Sequence, residues 1–344
     1  MDISEFDYPL PAAAIAQAPA DERDGSRLLV IDRGRRAFAD HQFASLPDLL
    51  RPGDCVIVND SRVIPARVLA RDAAGREVEL LFVEPSGVAG RWRALVRPGR
   101  RCRVGAEMSA GDGAARFRIV AVEPDGTRAV ERLYGSIAEA IERYGMPPLP
   151  PYIAHHTKPG SEDRERYQTI YARTPGSIAA PTAGLHFTAA LLERLRTGGV
   201  EVHALTMHVG PATFWPIKTA RVEDHALPSE RVEIPDSVAR AVNAARAEGR
   251  RVVAVGTTTT RALESAAVDD GSVRAMTGRA DVFIVPGHRF RVVDALLTNF
   301  HLPRSSLLVL VSAFAGRELI LDAYRHALAA GYRFYTYGDA TLIV

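Results

Sequence analysis

Between residues 66 and 150 the chain changes its repeat. Short alternating apolar and polar runs at 77–83, 91–96, 115–122 and 127–133 follow one another closely. Turn residues separate them, at Pro85-Ser86-Gly87, Pro98-Gly99, residues 111–113 and Pro124-Asp125-Gly126. Period-two runs of this length, punctuated by Gly and Pro, predict a small antiparallel sheet or barrel. No helical pattern interrupts them before residues 137–144. The stretch reads as an all-β insertion in a chain that is otherwise helix and strand.

On either side of it the signals alternate. Residues 27–32 and 55–58 are apolar runs bounded by turn residues, as in buried strands. Thr188 precedes a helical pattern to residue 197 that Gly198-Gly199 ends, and a strand is expected over 200–209. Asp236 is placed to cap a helix over 237–248. A strand at 251–255 runs into Gly256-Thr257-Thr258-Thr259-Thr260-Arg261 and a helix to residue 267. Residues 281–285 and 290–297 flank Pro286-Gly287 and predict a hairpin. Ser305 or Ser306 starts a long helix interrupted near Gly316, and strands are expected at 332–337 and 340–344. A Pro-rich linker, 146–152, is followed by a polar loop over 155–166 that holds His155 and His156; a solvated loop is favoured over a metal pair there.

Composition sets outer bounds. The 344 residues are 47% hydrophobic and 24% charged, enough for a full core and two domains. The net charge of +2 confines any basic binding face to a local patch. Arg91, Arg93, Arg97, Arg100, Arg101 and Arg103 supply such a patch in the insertion. They suit RNA phosphates, or else a charged edge that discourages strand pairing. Cys55 and Cys102 form no Cys-x-x-Cys pair, so neither a zinc ribbon nor a disulfide framework is expected. The N-terminus lacks a signal-peptide pattern, and no apolar run is long enough to span a bilayer. A soluble, cytoplasmic protein with no membrane association is expected.

Three histidines sit in similar settings: His186 in Pro-Thr-Ala-Gly-Leu-His-Phe, His208 in Met-His-Val-Gly, and His301 in Thr-Asn-Phe-His-Leu-Pro. Each follows an apolar run and precedes a turn or helix start. Together they point to a site at strand ends, where α/β folds assemble theirs. Imidazoles suit proton transfer near neutrality. The absence of His-x-x-x-His or His-x-His spacing argues against a zinc hydrolase, and no Gly-x-Ser-x-Gly elbow supports a serine triad. Glu223-Asp224-His225 adds an acid–base cluster, and Asp60 or Glu223 is a candidate to orient an imidazole. The Gly256–Thr258 turn offers amides and hydroxyls for a carboxylate or phosphate at a helix start. It is neither a Walker loop nor a dinucleotide fingerprint. Arg261 and Glu264, three apart, are expected to pair with each other.

These motifs occur in an order that resembles the S-adenosylmethionine:tRNA ribosyltransferase-isomerases of queuosine biosynthesis, the QueA type. The resemblance runs nearly end to end. It rests on Asn59-Asp60-Ser61-Arg62-Val63-Ile64-Pro65-Ala66-Arg67, Leu149-Pro150-Pro151-Tyr152-Ile153, Ala180-Pro181-Thr182-Ala183-Gly184-Leu185-His186-Phe187, His208-Val209-Gly210, Val255-Gly256-Thr257-Thr258, Thr298-Asn299-Phe300-His301-Leu302-Pro303 and Tyr337-Gly338-Asp339. It implies a mixed-sheet α/β domain, residues 1–68 and 150–344, with an inserted antiparallel β-barrel at 69–149. It further implies ribosyl transfer from S-adenosylmethionine, a co-substrate rather than a cofactor, to 7-aminomethyl-7-deazaguanine (preQ1) at the tRNA wobble position. Epoxyqueuosine, adenine and methionine are the implied products, with no metal needed. A monomer is expected.

On that reading His186, His208, His225, His301, Asp60 and Glu223 are the catalytic candidates. Asn59, Arg62, Arg67, Thr182, Gly184, Gly210, Thr213, Gly256, Thr257, Thr258 and Asn299 are the substrate-binding ones. The sequence departs from the family pattern at Leu227-Pro228, where Met-His is expected, and at Ala212, where Gly is expected. A relative with another acceptor and an inactive tRNA-binding paralogue are the competing readings.

Overall fold

Consecutive residues of one strand divide between two cores. Cys55 and Ile57 pack on one side of the sheet, and Val56 and Val58 on the other. A strand whose two faces are both covered reads as an unbroken apolar run, which is why 55–58 was legible. The computed structural model describes residues 1–211 and 215–344. Two compact units emerge: residues 1–61, 168–174 and 180–344 form the larger, and residues 62–167 with 175–179 the smaller.

The larger unit is built on a nine-stranded mixed sheet. Its order is Met276–Ala280, Glu230–Ile234, Glu201–Met207, Cys55–Asn59, Val252–Val255, Ala295–Asn299, Ala340–Ile343, Arg27–Asp32 and Ala37–Gln42. The strands from Glu201–Met207 to Ala295–Asn299 are parallel, and Ala340–Ile343 runs against Ala295–Asn299 but along Arg27–Asp32. Helices Asp236–Ala247, Thr257–Ala266, Ser306–Ala315 and Arg317–Ala329 cover the Ile57 face, and Ala189–Thr197 covers the Val56 face. Two helix starts follow their cap signals: Thr188 Oγ1 accepts from Leu191 N, and Ser305 Oγ from Leu308 N. Asp236 is not a cap. It is the first helical residue, after Pro235, and pairs with Arg240 one turn on.

The smaller unit is a closed antiparallel barrel. Six strands follow in the order Arg67–Asp72, Glu77–Pro85, Arg91–Arg97, Arg128–Tyr134, Ala115–Val122 and Glu107–Ala110, and Asp72↔Met108 pairing joins the last to the first. Closure removes free sheet edges. Val68, Val78, Leu80, Phe82, Phe117 and Val130 fill its interior.

Two expected elements are absent. Residues 281–294 form no hairpin; Ile284, Val292 and Val293 are buried as irregular chain against the larger unit's core. Residues 332–337 form no strand, because Tyr335 takes a φ of 75. The 155–166 loop is more ordered than its polarity suggested: Ser161–Arg166 is a helix, His155 meets Asp163 at 3.2 Å, and His156 Nδ1 bonds Ile153 O at 2.8 Å.

Candidate active site

Parallel strands end on a common edge, and the polar residues that follow them gather there. Val252–Val255 leads into Gly256-Thr257-Thr258, Glu201–Met207 into His208-Val209-Gly210, and Ala295–Asn299 into Phe300-His301. Tyr335 and Thr336 arrive at the same edge ahead of the antiparallel Ala340–Ile343. A cleft of about 470 Å³, including the part open to solvent, lies between them. Thr182, Gly256, Thr257, Thr258, Asn299 and His301 line it, with Val209, Leu307, Tyr335 and Thr336.

His301 is 3% exposed, and its Nε2 lies 3.2 Å from Thr298 Oγ1. Its backbone is pinned on both sides, since Tyr324 Oη accepts from its N–H and Tyr8 Oη donates to its carbonyl. The other ring nitrogen makes no hydrogen bond among the described residues. Burial pushes the pKa down to about 3, so the ring is neutral at pH 7.

His186 lies behind the cleft wall. Its Nδ1 is 2.7 Å from Ser26 Oγ, and its Nε2 accepts a hydrogen bond from Asn299 Nδ2 at 3.2 Å. Asn299 Nδ2 also faces the carbonyls of Tyr335 and Asp339, which fixes the amide's orientation. Its Oδ1 is then a buried acceptor with no partner among the described residues, in the wall of the cleft. Burial lowers the pKa of His186 to about 4, matching a neutral ring that donates from Nδ1 and accepts at Nε2. His186 thus positions Asn299, and both its nitrogens are occupied.

Gly256 caps the Thr257–Ala266 helix at φ 93, a conformation that favours glycine. No side chain caps that helix. Thr259 and Thr260 turn their hydroxyls back to the carbonyls of Val255 and Gly256, while Thr257 and Thr258 line the cleft. The first amides of the helix therefore have no side-chain cap where they meet the cleft.

Other candidates fall elsewhere. His208 is half-buried with Nδ1 3.0 Å from Ser61 Oγ, beside Val209 of the cleft wall. Gly210 N donates to Glu230 Oε1. Asn59 ties two strand ends together through Met207 N and O and Ser61 N, which uses both ends of its amide. Asp60 accepts from Thr206 Oγ1 and pairs with Arg173, so it orients no imidazole. Glu223 is exposed and pairs with the N-terminal ammonium and Arg221 instead of a histidine. His225 packs edge-on against Phe283. Thr213 and Ala212 lie outside the described residues.

Arg67 is 5% exposed and donates inside the barrel unit to the carbonyls of His156 and Leu149, so it is not open to a nucleic acid. Arg62 is exposed. Arg261 and Glu264 do not pair with each other. Arg261 meets Glu230 at 2.5 Å, and Glu264 accepts the backbone N–H groups of Arg291, Val292 and Val293. Cys55, Glu201 and His203 approach within 4.8 Å of one another at the opposite end of the Cys55–Asn59 strand. Arg250 occupies Glu201 there, and burial pushes the Cys55 thiol up to about 12, both unfavourable for a metal thiolate.

Gly184 has a packing reason. A Cβ there would stand 2.1 Å from the buried Tyr171 Oη and 2.8 Å from Thr169 Cγ2. Gly184→Ala is expected to cost about 2–3 kcal/mol by overpacking. Urea denaturation measures it, and a loss below about 0.5 kcal/mol, the usual surface value, contradicts the packing account.

A polar cleft at the ends of parallel strands is where α/β folds bind their ligands. The sequence profile described as "Queuosine biosynthesis protein" matches residues 3–343. The S-adenosylmethionine:tRNA ribosyltransferase-isomerase of Moorella thermoacetica is 51% identical, over all of both chains. That of Anaeromyxobacter dehalogenans is also 51% identical, over all of this chain and 99% of its own. The crystal structure of S-adenosylmethionine tRNA ribosyltransferase from Thermotoga maritima superposes with a TM-score of 0.57 at 35% identity, covering 99% of this chain and 100% of that one. The chain belongs to this queuosine biosynthesis family of S-adenosylmethionine:tRNA ribosyltransferase-isomerases.

The cleft residues that lie outside every motif quoted from the sequence are Leu307, Tyr335 and Thr336. The run from 332 to 337 read as a strand, and only the Tyr337-Gly338-Asp339 motif marked its neighbourhood.

Proposed function

We propose that the chain transfers and isomerises the ribosyl moiety of S-adenosylmethionine onto preQ1 at the wobble position of tRNA. Epoxyqueuosine forms, and adenine and methionine leave. The observation that carries this reading is the cleft itself. It combines a neutral buried imidazole, an unpartnered amide oxygen and an uncapped helix start in a chain half identical to enzymes of that name.

The chemistry needs proton transfers. The acceptor amine must lose a proton to attack the ribosyl carbon, and the carbon beside the sulfonium must lose one before the ring opens. Adenine leaves more readily when protonated. His301 lines the cleft and holds a ring nitrogen with no hydrogen bond among the described residues, which makes it the candidate proton acceptor. Asn299 Oδ1 suits a hydroxyl or exocyclic amine of the nucleoside. The Gly256–Thr258 turn suits a phosphate or carboxylate. A site of action in the cytoplasm follows from the tRNA substrate, and no helix among the described residues is long and apolar enough to cross a membrane.

The deciding assay supplies S-adenosylmethionine and tRNA carrying the aminomethyl base. Adenine release coupled to a mass gain on the tRNA is the expected result. Tight tRNA binding without turnover defeats it in favour of an inactive binder, and turnover only with a free base defeats the tRNA acceptor.

Electrostatic capture of the tRNA is assigned to part of the barrel's arginines. Arg91 pairs with Glu131, Arg93 with Glu84 and Asp125, and Arg101 bonds Glu77 O. Arg97, Arg100 and Arg103 are exposed and make no ion pair among the described residues. Replacing these three by Ala should flatten the slope of log K against log salt by about 2, near 0.7–0.9 per lost phosphate contact. Filter binding across a salt series measures it, and an unchanged slope removes them from the interface.

A further inference from the structure

Next to the cleft lies a second, smaller concavity of about 360 Å³, including the part open to solvent. Leu307 borders both. Its walls are apolar, from Leu227, Phe283, Leu307 and Leu310, with Pro228 at the exposed rim. At its polar side Arg261 and Glu230, 5% and 7% exposed, meet at 2.5 Å. Arg261 stands one helical turn after Thr257, which lines the main cleft, so the two concavities share one helix face. Gly210 N donates to Glu230 Oε1 from beside Val209 of the main cleft.

The guanidinium is incompletely used. Nε donates to Val282 O at 3.2 Å and Nη1 to Glu230 Oε2, but Nη2 is buried without an acceptor among the described residues. A buried charged donor left unpaired is costly and needs a reason. An apolar slot ending in an Arg–Glu pair of no net charge matches a small zwitterion carried on an unbranched apolar chain. A carboxylate supplies the acceptor that Nη2 lacks, in a charge-assisted hydrogen bond, and the neighbouring carboxylate balances an ammonium.

We propose that this slot is the specificity pocket for the amino-acid end of S-adenosylmethionine, with Arg261 Nη2 receiving its α-carboxylate. This rests on the ribosyl-transfer reading above, and it leaves the Gly256–Thr258 turn to a different anion. The Leu227-Pro228 departure from the family pattern falls on the wall and rim of this slot, not on the cleft that holds His301.

The test compares S-adenosylmethionine with its decarboxylated analogue as donors, reading kcat/KM for adenine release at saturating aminomethyl-base tRNA. The wild-type enzyme should prefer the carboxylated donor by about tenfold or more, the value of one charge-assisted hydrogen bond. Arg261→Gln should bring the two donors within about twofold by lowering only the first, a difference well under one such bond. Leu227→Trp, at a half-buried wall position, should raise KM for S-adenosylmethionine with the fold intact by circular dichroism.

A preference retained in Arg261→Gln overturns the proposal and moves the carboxylate elsewhere. If that variant does not fold, Leu227→Trp decides, and an unchanged KM there also overturns it. Wild-type turnover without any preference defeats the slot while sparing the reaction. A wild-type enzyme that releases adenine from neither donor defeats the ribosyl-transfer reading and this assignment with it.

Discussion

Replacing His301 by glutamine is expected to lower kcat about 10²–10³-fold, the usual share of one general acid–base residue, with little change in KM for S-adenosylmethionine. The substitution is chosen for its geometry. Glutamine keeps a polar group near Thr298 Oγ1, and the backbone clamps from Tyr8 and Tyr324 do not involve the ring. What disappears is a neutral nitrogen facing the cleft. Single-turnover adenine release separates chemistry from binding. Because burial holds this pKa near 3, the acid limb of the kcat/KM profile above pH 5 must belong to another group. A variant with undiminished kcat removes His301 from the proton transfers. Substituting His186 is a different experiment, since that ring acts through Asn299.

Stability should fall steeply on mild acidification. His186 and His301 titrate near 4 and 3 when folded, and near 6.5 when unfolded. Between those values the unfolded chain holds more protons than the native one, so stability rises with pH through this window. The contribution is fully present above about 6.5 and is lost as pH falls toward the folded values. Two such groups give a slope of about 3 kcal/mol per pH unit near pH 5. Glu230 works in the opposite sense, because burial raises its carboxyl pKa. The difference between wild type and His301→Gln isolates one histidine, and it should remove about 1 kcal/mol per pH unit. Urea denaturation at pH 5.0 and 6.0 reads it; equal slopes for the two proteins would mean that His301 is protonated in the native state at pH 5.

Local signals carried much of the fold. Thr188, Ser305 and the glycines at 198 and 316 mark helix ends that the chain uses, and residues 137–144 form the helix their pattern predicts. The failures are places where distant contacts overrule local pattern. Residues 282–285 are apolar enough for a strand, but no partner strand takes them, and they pack as loop. The aromatic run at 332–337 also looks extended. It becomes a loop that Asp339 holds by accepting from Arg333 N and Arg27 N.

The site was legible in the same partial way. Gly256, Thr257, Thr258, Asn299 and His301 stand in the cleft because each directly follows or ends a parallel strand. Strand-end position says nothing about which way a ring points, so it could not separate His301 from His186. Pairing across 31 positions, as between Glu230 and Arg261, leaves no local trace, whereas Arg261 and Glu264 share a helix face and mislead.

Ala340–Ile343 occupies an interior place in the nine-stranded sheet, between Ala295–Asn299 and Arg27–Asp32. During synthesis the first two strands, Arg27–Asp32 and Ala37–Gln42, therefore have no route into the sheet until residue 343 has cleared the ribosome. The barrel unit is complete more than 160 residues earlier, at residue 179. The smaller unit can thus fold on the ribosome, whereas the amino-terminal hairpin waits for the far end of the chain.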